Sequence, residues 1–304
     1  MKKLSINGRH IMGLPGKWEE LTPDQVSILC KLMRLTESPL ELKLLLLLNI
    51  TKITVCKNQP ASRRHYARED REIYLKHKGK IFLAHAQDVD AMMAPLDFLI
   101  AYTQEGQPYI NSGLYFNHFK QLRTRLGQKL YGPDSALYNI NMDEFIRIVS
   151  LKSLMGKKGA DTSALTDKIC GILYRKKDRS QNPNCPSFSG DLRQPFNDHL
   201  VDGYAKTARW LSPWQKNYII LFLDGSLRFL SQKHPEAFMD PEQGSSPTPT
   251  STFEAFTKVV NMLCQKDPTQ AAAIRKSPLY DVMPQINQYA IEGRQLKKHA
   301  TKTR

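Results

Sequence analysis

The sequence has no apolar run long enough to span a membrane and no pair of cysteines at metal-binding spacing. Its most apolar run is LELKLLLLLNI at residues 40–50, whereas a bilayer-spanning helix needs about 20 apolar residues. The five cysteines are scattered and odd in number, which favours a reducing compartment over a disulfide framework. The amino-terminal stretch MKKLSINGRH turns polar at once and does not have the pattern of a signal peptide. We therefore expect a soluble protein without a membrane partner.

Catalytic and cofactor motifs are also missing. None of the eight histidines belongs to a His-Glu-x-x-His or finger pattern, which argues against zinc. The glycines and lysines at residues 155–161 lack the order of a phosphate-binding loop. Asp24 followed by Glu41-Leu42-Lys43 mimics the ligand order of a magnesium-dependent nuclease, but both acids fall in predicted first turns of helices, where acids are common. The sequence therefore predicts a protein that is not an enzyme and that binds no metal or cofactor.

What the sequence does have is an excess of positive charge. Lys and Arg number 44 against 29 acids, and the formal net charge is +15. Such a field attracts nucleic acid or acidic proteins. Three basic clusters are candidates for a partner surface: Arg63, Arg64 and Arg68; Lys120, Arg123, Arg125 and Lys129; and Arg175, Lys176 and Lys177.

The second cluster, within FNHFKQLRTRLGQKLYG, has two open interpretations. Aromatic residues lie near it, and cations interleaved with aromatics can form a groove for single-stranded nucleic acid; these residues are Tyr109, Tyr115, Phe116 and Phe119. Alternatively, Phe116, Phe119 and Leu122 are the core face of an amphipathic helix whose cations face water. The third cluster likewise suits the carboxyl end of a helix dipole, with no ligand needed.

Helix-start signals recur along the chain and favour a mainly α fold. Thr22 to Gln25 and Asn141 to Glu144 have the capping-box pattern, and Ser-Pro pairs begin further helices. Beyond the helix that follows Thr22, the predicted helices are 39–48, 88–103, 113–131, 142–155, 162–176, 195–209, 213–232, 253–265, 268–276 and 278–298. Asn7-Gly8 predicts a β-hairpin, and KIFLAHA at residues 80–86 is β-like, with residues 50–55 as its expected partner.

The predicted architecture is a multi-helix, bundle-like domain with a small β-hairpin element and a C-terminal helical subdomain. The main domain covers residues 1–239 and includes a charged excursion at 57–80. Residues 240–252, DPEQGSSPTPTST, have the composition of a linker. The C-terminal helical subdomain then covers residues 253–304.

Five phrases together carry a resemblance to a known group of proteins. They are LPGKWEELTPDQ at 14–25, LDFLIAYT at 96–103, LYGPDSALYNINMDEF at 130–145, LTDKICGILYR at 165–175 and GDLRQPFND at 190–198. The chain resembles uncharacterised proteins encoded in the tail-morphogenesis region of tailed phages and prophages. The resemblance implies a tail-assembly chaperone or tail-associated structural component, with a tape-measure or tail-tube protein as partner. It also implies the host bacterial cytoplasm, or the virion, as location.

A chaperone of this kind would bind an apolar helix in a groove. The stretch DAMMAPLDFL offers Met92 and Met93 as a candidate apolar partner surface, because methionine adapts to irregular partners. The interpretation of the two as core filler remains open. The alternative function is that of a basic nucleic-acid-binding protein of a phage or mobile element.

Overall fold

The computed structural model describes residues 2–6, 9–56, 73–181, 185, 190–238, 260–261, 264 and 267–302. Over these residues the chain is mainly helical with small antiparallel sheets, which confirms the predicted fold class. The chain divides into two compact units, Met1–Gly113 and Leu114–Arg304. The predicted linker at 240–252 lies outside the described residues, so the predicted domain organisation stays a prediction.

The described part of the first unit combines helices with short strands. Its elements are β1 Lys2–Ile6, β2 Arg9–Leu14, α1 Pro23–Leu32, α2 Pro39–Thr51, β3 Thr54–Val55, β4 Ile73–His77, β5 Lys80–Ala84, α3 Ala86–Met93, β6 Ile100–Tyr102 and β7 Pro108–Ile110. The predicted capping box at the start of α1 is present. The Gln25 N–H donates to Thr22 Oγ1 at 3.3 Å, and the Thr22 N–H donates to Gln25 Oε1 at 3.0 Å.

The strand pairing of the first unit corrects one prediction. β1 and β2 pair antiparallel as the hairpin signal predicts, although Asn7-Gly8 itself lies outside the described residues. β5 pairs with β4 and not with residues 50–55. Lys78 and Gly79 both have positive φ, 48° and 81°, which is the two-residue turn that joins adjacent strands. The end of the predicted charged excursion is therefore a strand and a tight turn, and residues 57–72 lie outside the described residues.

The predicted helix at 88–103 is only in part a helix. α3 ends at Met93, a 3-10 segment follows over Ala94–Leu99, and β6 begins at Ile100. Pro95 accounts for the change, because proline has no N–H for the helix ladder and its ring clashes with the preceding turn.

The apolar run at 40–50 is a core helix, as its length predicts. It lies in α2, where Leu42, Leu46 and Leu47 are buried. Among the residues that the structure describes, no helix has both the length and the apolarity needed to cross a bilayer.

The second unit is built on packed helices. Its described elements are β8 Gln121–Arg123, β9 Lys129–Tyr131, α4 Met142–Met155, α5 Thr162–Leu173, α6 Val201–Ala208, α7 Pro213–Lys233, α8 Pro235–Phe238, α9 Pro268–Lys276 and α10 Leu279–Lys302. The core includes Phe145, Ile172 and Phe222, each with no exposed surface. α5 and α6 approach closely at Gly171, where a Cβ would lie 2.6 Å from the carbonyl carbon of Tyr204.

The predicted helix at 113–131 is wrong. Its second half is a hairpin in which Leu122 pairs with Leu130, and both are buried while Gln121, Arg123 and Lys129 beside them are exposed. This alternation has the two-residue period of a strand. Gly127, with a φ of 81°, adopts the left-handed conformation that ends helices and forms turns. The interpretation of the flanking aromatics as one face of a helix is wrong for the same reason.

The predicted helix at 162–176 ends early, at Leu173. Arg175 then pairs with the end of β9. The Tyr131 N–H donates to the Arg175 carbonyl at 2.7 Å, and the Arg175 N–H donates back to Tyr131 at 3.0 Å. The third basic cluster therefore lies in extended chain beyond the helix. Arg175 still donates through Nη1 to the Ile172 carbonyl in the last turn of α5, as the helix-end interpretation predicts for a cation.

Candidate partner-binding surface

Four charged side chains form a buried ion cluster in the second unit: Glu144, Arg175, Arg193 and Asp191. Glu144 lies between two guanidinium groups, with Oε1 2.9 Å from Arg175 Nη2 and Oε2 3.3 Å from Arg193 Nη1. Asp191 Oδ2 accepts from Arg193 Nη2 at 2.7 Å. The side chains of Glu144, Arg175 and Arg193 are 4%, 1% and 0% exposed, so the cluster belongs to the interior.

Three separate segments bring the buried ion cluster together. Glu144 lies in the first turn of α4, Arg175 follows α5, and Arg193 lies in the loop before α6. The Glu144 N–H donates to Asn141 Oδ1 at 2.8 Å, which is one half of the predicted capping box. The carboxylate, which a capping box would direct to the Asn141 N–H, binds the two arginines instead. The sequence shows Glu144 only as a cap, so its role in the cluster was not predicted.

The environment of Arg193 in the buried ion cluster favours its charged form. Burial by itself lowers the pKa of Arg193, but the carboxylates of Glu144 and Asp191 outweigh burial and raise that pKa above its ordinary value. The two guanidinium groups also hold backbone, since Arg175 Nε donates to the Gln194 carbonyl at 2.7 Å. Paired charges with further hydrogen bonds are the form in which ions are tolerated in protein interiors.

A buried hydroxyl–amide network lies in the same unit. The Tyr218 hydroxyl donates to Asn117 Oδ1 at 2.7 Å, and the Tyr174 hydroxyl donates to the Phe119 carbonyl at 2.8 Å. Burial raises the pKa of Tyr174 well above its ordinary value, so this hydroxyl keeps its proton. A Cβ on Gly132 would lie 2.4 Å from the Tyr174 ring, so only glycine fits there.

Three of the phrases that carry the resemblance meet in this interior. The phrase at 130–145 supplies Gly132 and Glu144, the phrase at 165–175 supplies Tyr174 and Arg175, and the phrase at 190–198 supplies Arg193. These residues are packing determinants. The prediction that Arg175 is a partner-binding cation is therefore wrong, because its side chain is 1% exposed and paired with Glu144.

The hairpin of residues 121–131, here the basic hairpin, places two cations side by side. Arg123 on β8 and Lys129 on β9 are cross-strand partners, and both are exposed. Their neighbours Leu122 and Leu130 are 3% and 1% exposed. Directly opposed like charges destabilise an antiparallel pair. This arrangement therefore lowers the stability of the protein when no partner is bound.

The turn of the basic hairpin adds a further cation and an exposed leucine. Arg125 and Leu126 occupy its tip, and Leu126 is 67% exposed. Thr124 closes the turn, since its N–H donates to the Gln128 carbonyl at 2.9 Å and its Oγ1 accepts from the Gln128 N–H at 3.1 Å. The turn therefore has a defined conformation.

Two hydrogen bonds to its backbone fix the basic hairpin to the segment between α6 and α7 and to the first turn of α7. The Arg125 N–H donates to the Trp210 carbonyl at 2.9 Å, and Gln215 Nε2 donates to the Arg123 carbonyl at 3.1 Å. Trp210 is 44% exposed, and the Arg209 guanidinium carbon lies 5.9 Å from the centre of its ring. We call this set the hairpin surface: Arg123, Arg125, Leu126, Lys129, Arg209 and Trp210.

The cations of the hairpin surface have no acidic partner in the described part of the chain. No described carboxylate lies within 4 Å of the charged groups of Arg123, Arg125, Lys129 or Arg209. Lys120 differs, because its Nζ is 2.9 Å from Asp134 Oδ1.

The other predicted cations lie elsewhere. Lys176 and Lys177 are exposed on the extended chain that follows Arg175. Arg63, Arg64 and Arg68 lie outside the described residues, so their role stays a prediction.

A cavity of about 220 Å³ lies between β9 and α6, on the side of the basic hairpin to which Leu130 points. Tyr174, Lys176 and Tyr204 contribute to its lining. Strand alternation directs Arg123 and Lys129 to the opposite side, so the cavity is separate from the hairpin surface.

Most aromatic rings near the basic hairpin pack against other rings. The ring centroid of Phe119 is 4.8 Å from that of Tyr218, and Tyr115 stacks on Phe229 at 4.7 Å. Tyr109 belongs to β7 in the first unit, and Phe116 is 49% exposed. The rings of Phe119 and Tyr115 are thus engaged in packing, which disfavours the predicted stacking groove.

Met92 and Met93 do not form an exposed apolar surface. Met92 is 5% exposed in α3 and belongs to the core, so its prediction as a partner contact is wrong. Met93 is half-buried at the end of the same helix. The alternative interpretation as core filler is confirmed for Met92.

Acidic residues that mimic a nuclease site lie in helices, not strands. Asp24 is in the first turn of α1 and Glu41 in the first turn of α2. Across the described residues, no group of three or more histidine, cysteine or acidic side chains is placed to hold a metal ion. The absence of catalytic activity and of a cofactor stays a prediction.

Comparisons of the chain with protein-family models, with curated proteins and with solved structures find no match. The resemblance to tail-morphogenesis-region proteins therefore stays a prediction.

Proposed function

We propose that this protein acts in the assembly of a phage or prophage tail as a binding protein, by contact with another tail protein. One observation carries the proposal. The phrases that resemble tail-morphogenesis-region proteins supply the buried ion cluster, and Arg175 of that cluster pairs through its backbone with Tyr131 at the end of the basic hairpin. The residues that carry the resemblance thus support the basic hairpin, whose exposed side belongs to the hairpin surface. A partner would bind at the hairpin surface.

The composition of the hairpin surface supports a protein partner. Arginine and tryptophan are enriched among the residues that dominate protein interfaces, and here the backbone of Arg125 contacts that of the half-exposed Trp210, next to the exposed Leu126. The tape-measure protein and the tail-tube protein are the proposed partners, and the host bacterial cytoplasm is the proposed location. The proposal involves no catalytic step and no cofactor.

Co-expression tests this function. The full chain, carrying an affinity tag, is produced with the tape-measure and tail-tube proteins encoded in the same tail region, and the purified material is separated by size. We expect one of the two to co-elute with the chain. A tagged basic protein of similar net charge is the control for ionic adhesion. Failure to associate, whichever of the proteins carries the tag, would contradict the proposal.

A second candidate function is nucleic-acid binding, which the exposed cations of the hairpin surface favour. Fluorescence anisotropy with single-stranded and double-stranded DNA tests it. Binding by phosphate contacts weakens steeply between about 50 and 200 mM salt, because counterions are released. Absence of binding at about 50 mM salt would exclude this function.

A further inference from the structure

We infer that the hairpin surface is the docking site for an acidic segment of the partner protein, with partner carboxylates seated on Arg123 and Lys129. The inference rests on the proposed function, because it names the surface and the partner chemistry through which that function would operate. Four observations carry it: a pair of opposed cations, a hairpin backbone that is already ordered, apolar groups among the cations, and a second turn of the same geometry without the cation and the leucine.

The opposed cations come first. Arg123 and Lys129 face each other across the β8–β9 pair, and no described carboxylate lies within 4 Å of either. Side chains directly opposite on antiparallel strands have Cβ atoms about 5 Å apart, and like charges there repel. A carboxylate placed between them would bind the arginine fork and the lysine ammonium together. The unfavourable pair in the free protein thereby becomes a favourable site in the complex.

The platform under these cations is already ordered. The hairpin backbone is held by the Trp210 carbonyl and by Gln215, and its turn is closed by Thr124. Leu122 and Leu130 anchor its inner side in the core. A surface that is fixed before binding loses little conformational entropy when the partner arrives.

Apolar groups among the charges favour a protein segment over nucleic acid. Leu126 is 67% exposed at the tip of the turn, and Trp210 is 44% exposed beside it. Single-stranded nucleic acid binds by stacking bases on free aromatic rings, whereas Phe119 and Tyr115 are packed against other rings. Arg209 also lies over the Trp210 ring. An acidic segment with an apolar side chain matches both the cations and the exposed leucine.

The first unit contains a turn of the same design without the cation and the leucine. Thr103–Gln107 reads TQEGQ where Thr124–Gln128 reads TRLGQ. The Thr103 N–H donates to the Gln107 carbonyl at 2.9 Å, and the Gln107 N–H donates to Thr103 Oγ1 at 3.1 Å. Gly106 has a φ of 79°, and Gly127 has 81°. The turn therefore forms without Arg125 and Leu126, so its geometry does not require them.

The test uses the full chain and three variants. The first is Arg123→Gln with Lys129→Gln, which removes the opposed pair. The second is Arg125→Gln with Leu126→Glu, which replaces the TRLGQ sequence of the turn with TQEGQ, the sequence of the turn at Thr103–Gln107. The control is Lys157→Gln with Lys158→Gln. It removes an equal number of positive charges, two, from the exposed turn between α4 and α5. Fluorescein-labelled poly-L-glutamate and a single-stranded DNA of matched charge are the probes.

We expect the first two variants to bind poly-L-glutamate about tenfold or more weakly than the parent, since each loses charge-assisted contacts. The control variant is expected to bind nearly as the parent does. Equal weakening in all variants would overturn the inference, because it would show that only net charge matters. Tighter hairpin-dependent binding of the DNA than of poly-L-glutamate would also overturn it, in favour of nucleic acid.

A stability measurement separates lost binding from lost folding. Lys129→Gln alone relieves the like-charge repulsion, so its thermal unfolding midpoint is expected to rise while its affinity for poly-L-glutamate falls. A lowered midpoint together with lowered affinity would show that Lys129 serves the fold, and would contradict a docking role.

The tail proteins distinguish failure of this inference from failure of the proposed function. If the tape-measure or tail-tube protein binds the parent and the first two variants equally, the docking site is wrong and the proposed function holds. If neither binds the parent while poly-L-glutamate binding still depends on the hairpin, the proposed function is wrong and the acidic docking surface holds.

Discussion

Glu144 illustrates how the role of a single residue depends on what the fold brings beside it. In sequence it completes a capping pattern that begins at Asn141, and its backbone N–H is indeed capped. Its carboxylate, however, joins two arginines that lie 31 and 49 positions away along the chain. No local pattern reports such a pairing, so Arg175 could be recognised from sequence only as one cation of a basic run.

Glu144→Gln tests the buried ion cluster. The change keeps the shape of the side chain but leaves the buried guanidinium groups of Arg175 and Arg193 with one carboxylate instead of two. Breaking a buried pair in this way costs about 3–5 kcal/mol of unfolding free energy, measured by urea denaturation.

The matched control is Asp198→Asn, which breaks the exposed pair with Arg147. Exposed pairs contribute about 0–1 kcal/mol, so this variant should unfold nearly as the parent does. Equal losses in Glu144→Gln and Asp198→Asn would show that the buried ion cluster has no special role.

Two histidines, His234 buried and His118 half-buried, predict a pH dependence of stability. Burial lowers the pKa of His118 and of His234 below 6.5, and the Nε2 atom of each is buried without a described hydrogen-bond partner. The unfolded chain then binds more protons than the folded chain as the pH falls through 6.5. Stability is therefore full above that pH and declines below it.

Thermal unfolding between about pH 7.5 and pH 5.5 measures this effect. We expect the parent to lose stability on acidification and the variant His118→Gln with His234→Gln to lose less over the same range. Identical pH profiles would mean that other groups account for the acid sensitivity.

At the scale of elements, the sequence predicts helices well where capping signals and apolar periodicity agree. α1, α4, α7 and α9 begin at or within one residue of their predicted starts. The helix predicted at 113–131 is wrong because the cations and aromatics of this region also fit a helical period. The strands that actually form there are short. Strands of three residues, with alternating Leu122 and Leu130 and a single left-handed glycine, leave little periodic signal.

The packing of α5 against α6 gives a prediction with an internal control. Gly171→Ala would place a Cβ 2.6 Å from the backbone of Tyr204, and overpacking of this kind costs about 1–3 kcal/mol. Gly203→Ala in α6 meets nothing within 4 Å, and alanine is favoured over glycine in helices by about 0.5–1 kcal/mol. Urea denaturation should therefore show opposite changes in unfolding free energy. Changes of the same sign would contradict the close approach at Gly171.

At the scale of the whole molecule, the sequence predicts the class of fold but not the boundary between the two compact units. The mainly α class follows from recurring helix starts, whereas the boundary between the compact units at Gly113 lies in INSGLYF, which has no linker composition. The net charge of +15 likewise predicts a polyanionic or acidic partner without saying where it binds. Only the fold separates Arg175, which is buried, from Arg123 and Lys129, which face water.

Binding of a tail protein through the hairpin surface joins the proposed function to the proposed docking site. The most direct measurement is co-purification of the full chain with the tape-measure and tail-tube proteins of the same tail region. It is made in parallel for the parent, for Arg123→Gln with Lys129→Gln, and for the Lys157→Gln, Lys158→Gln control. We expect a complex with the parent and with the control, and we expect it to be lost or strongly weakened in the hairpin variant. Absence of any complex with the parent would contradict this expectation.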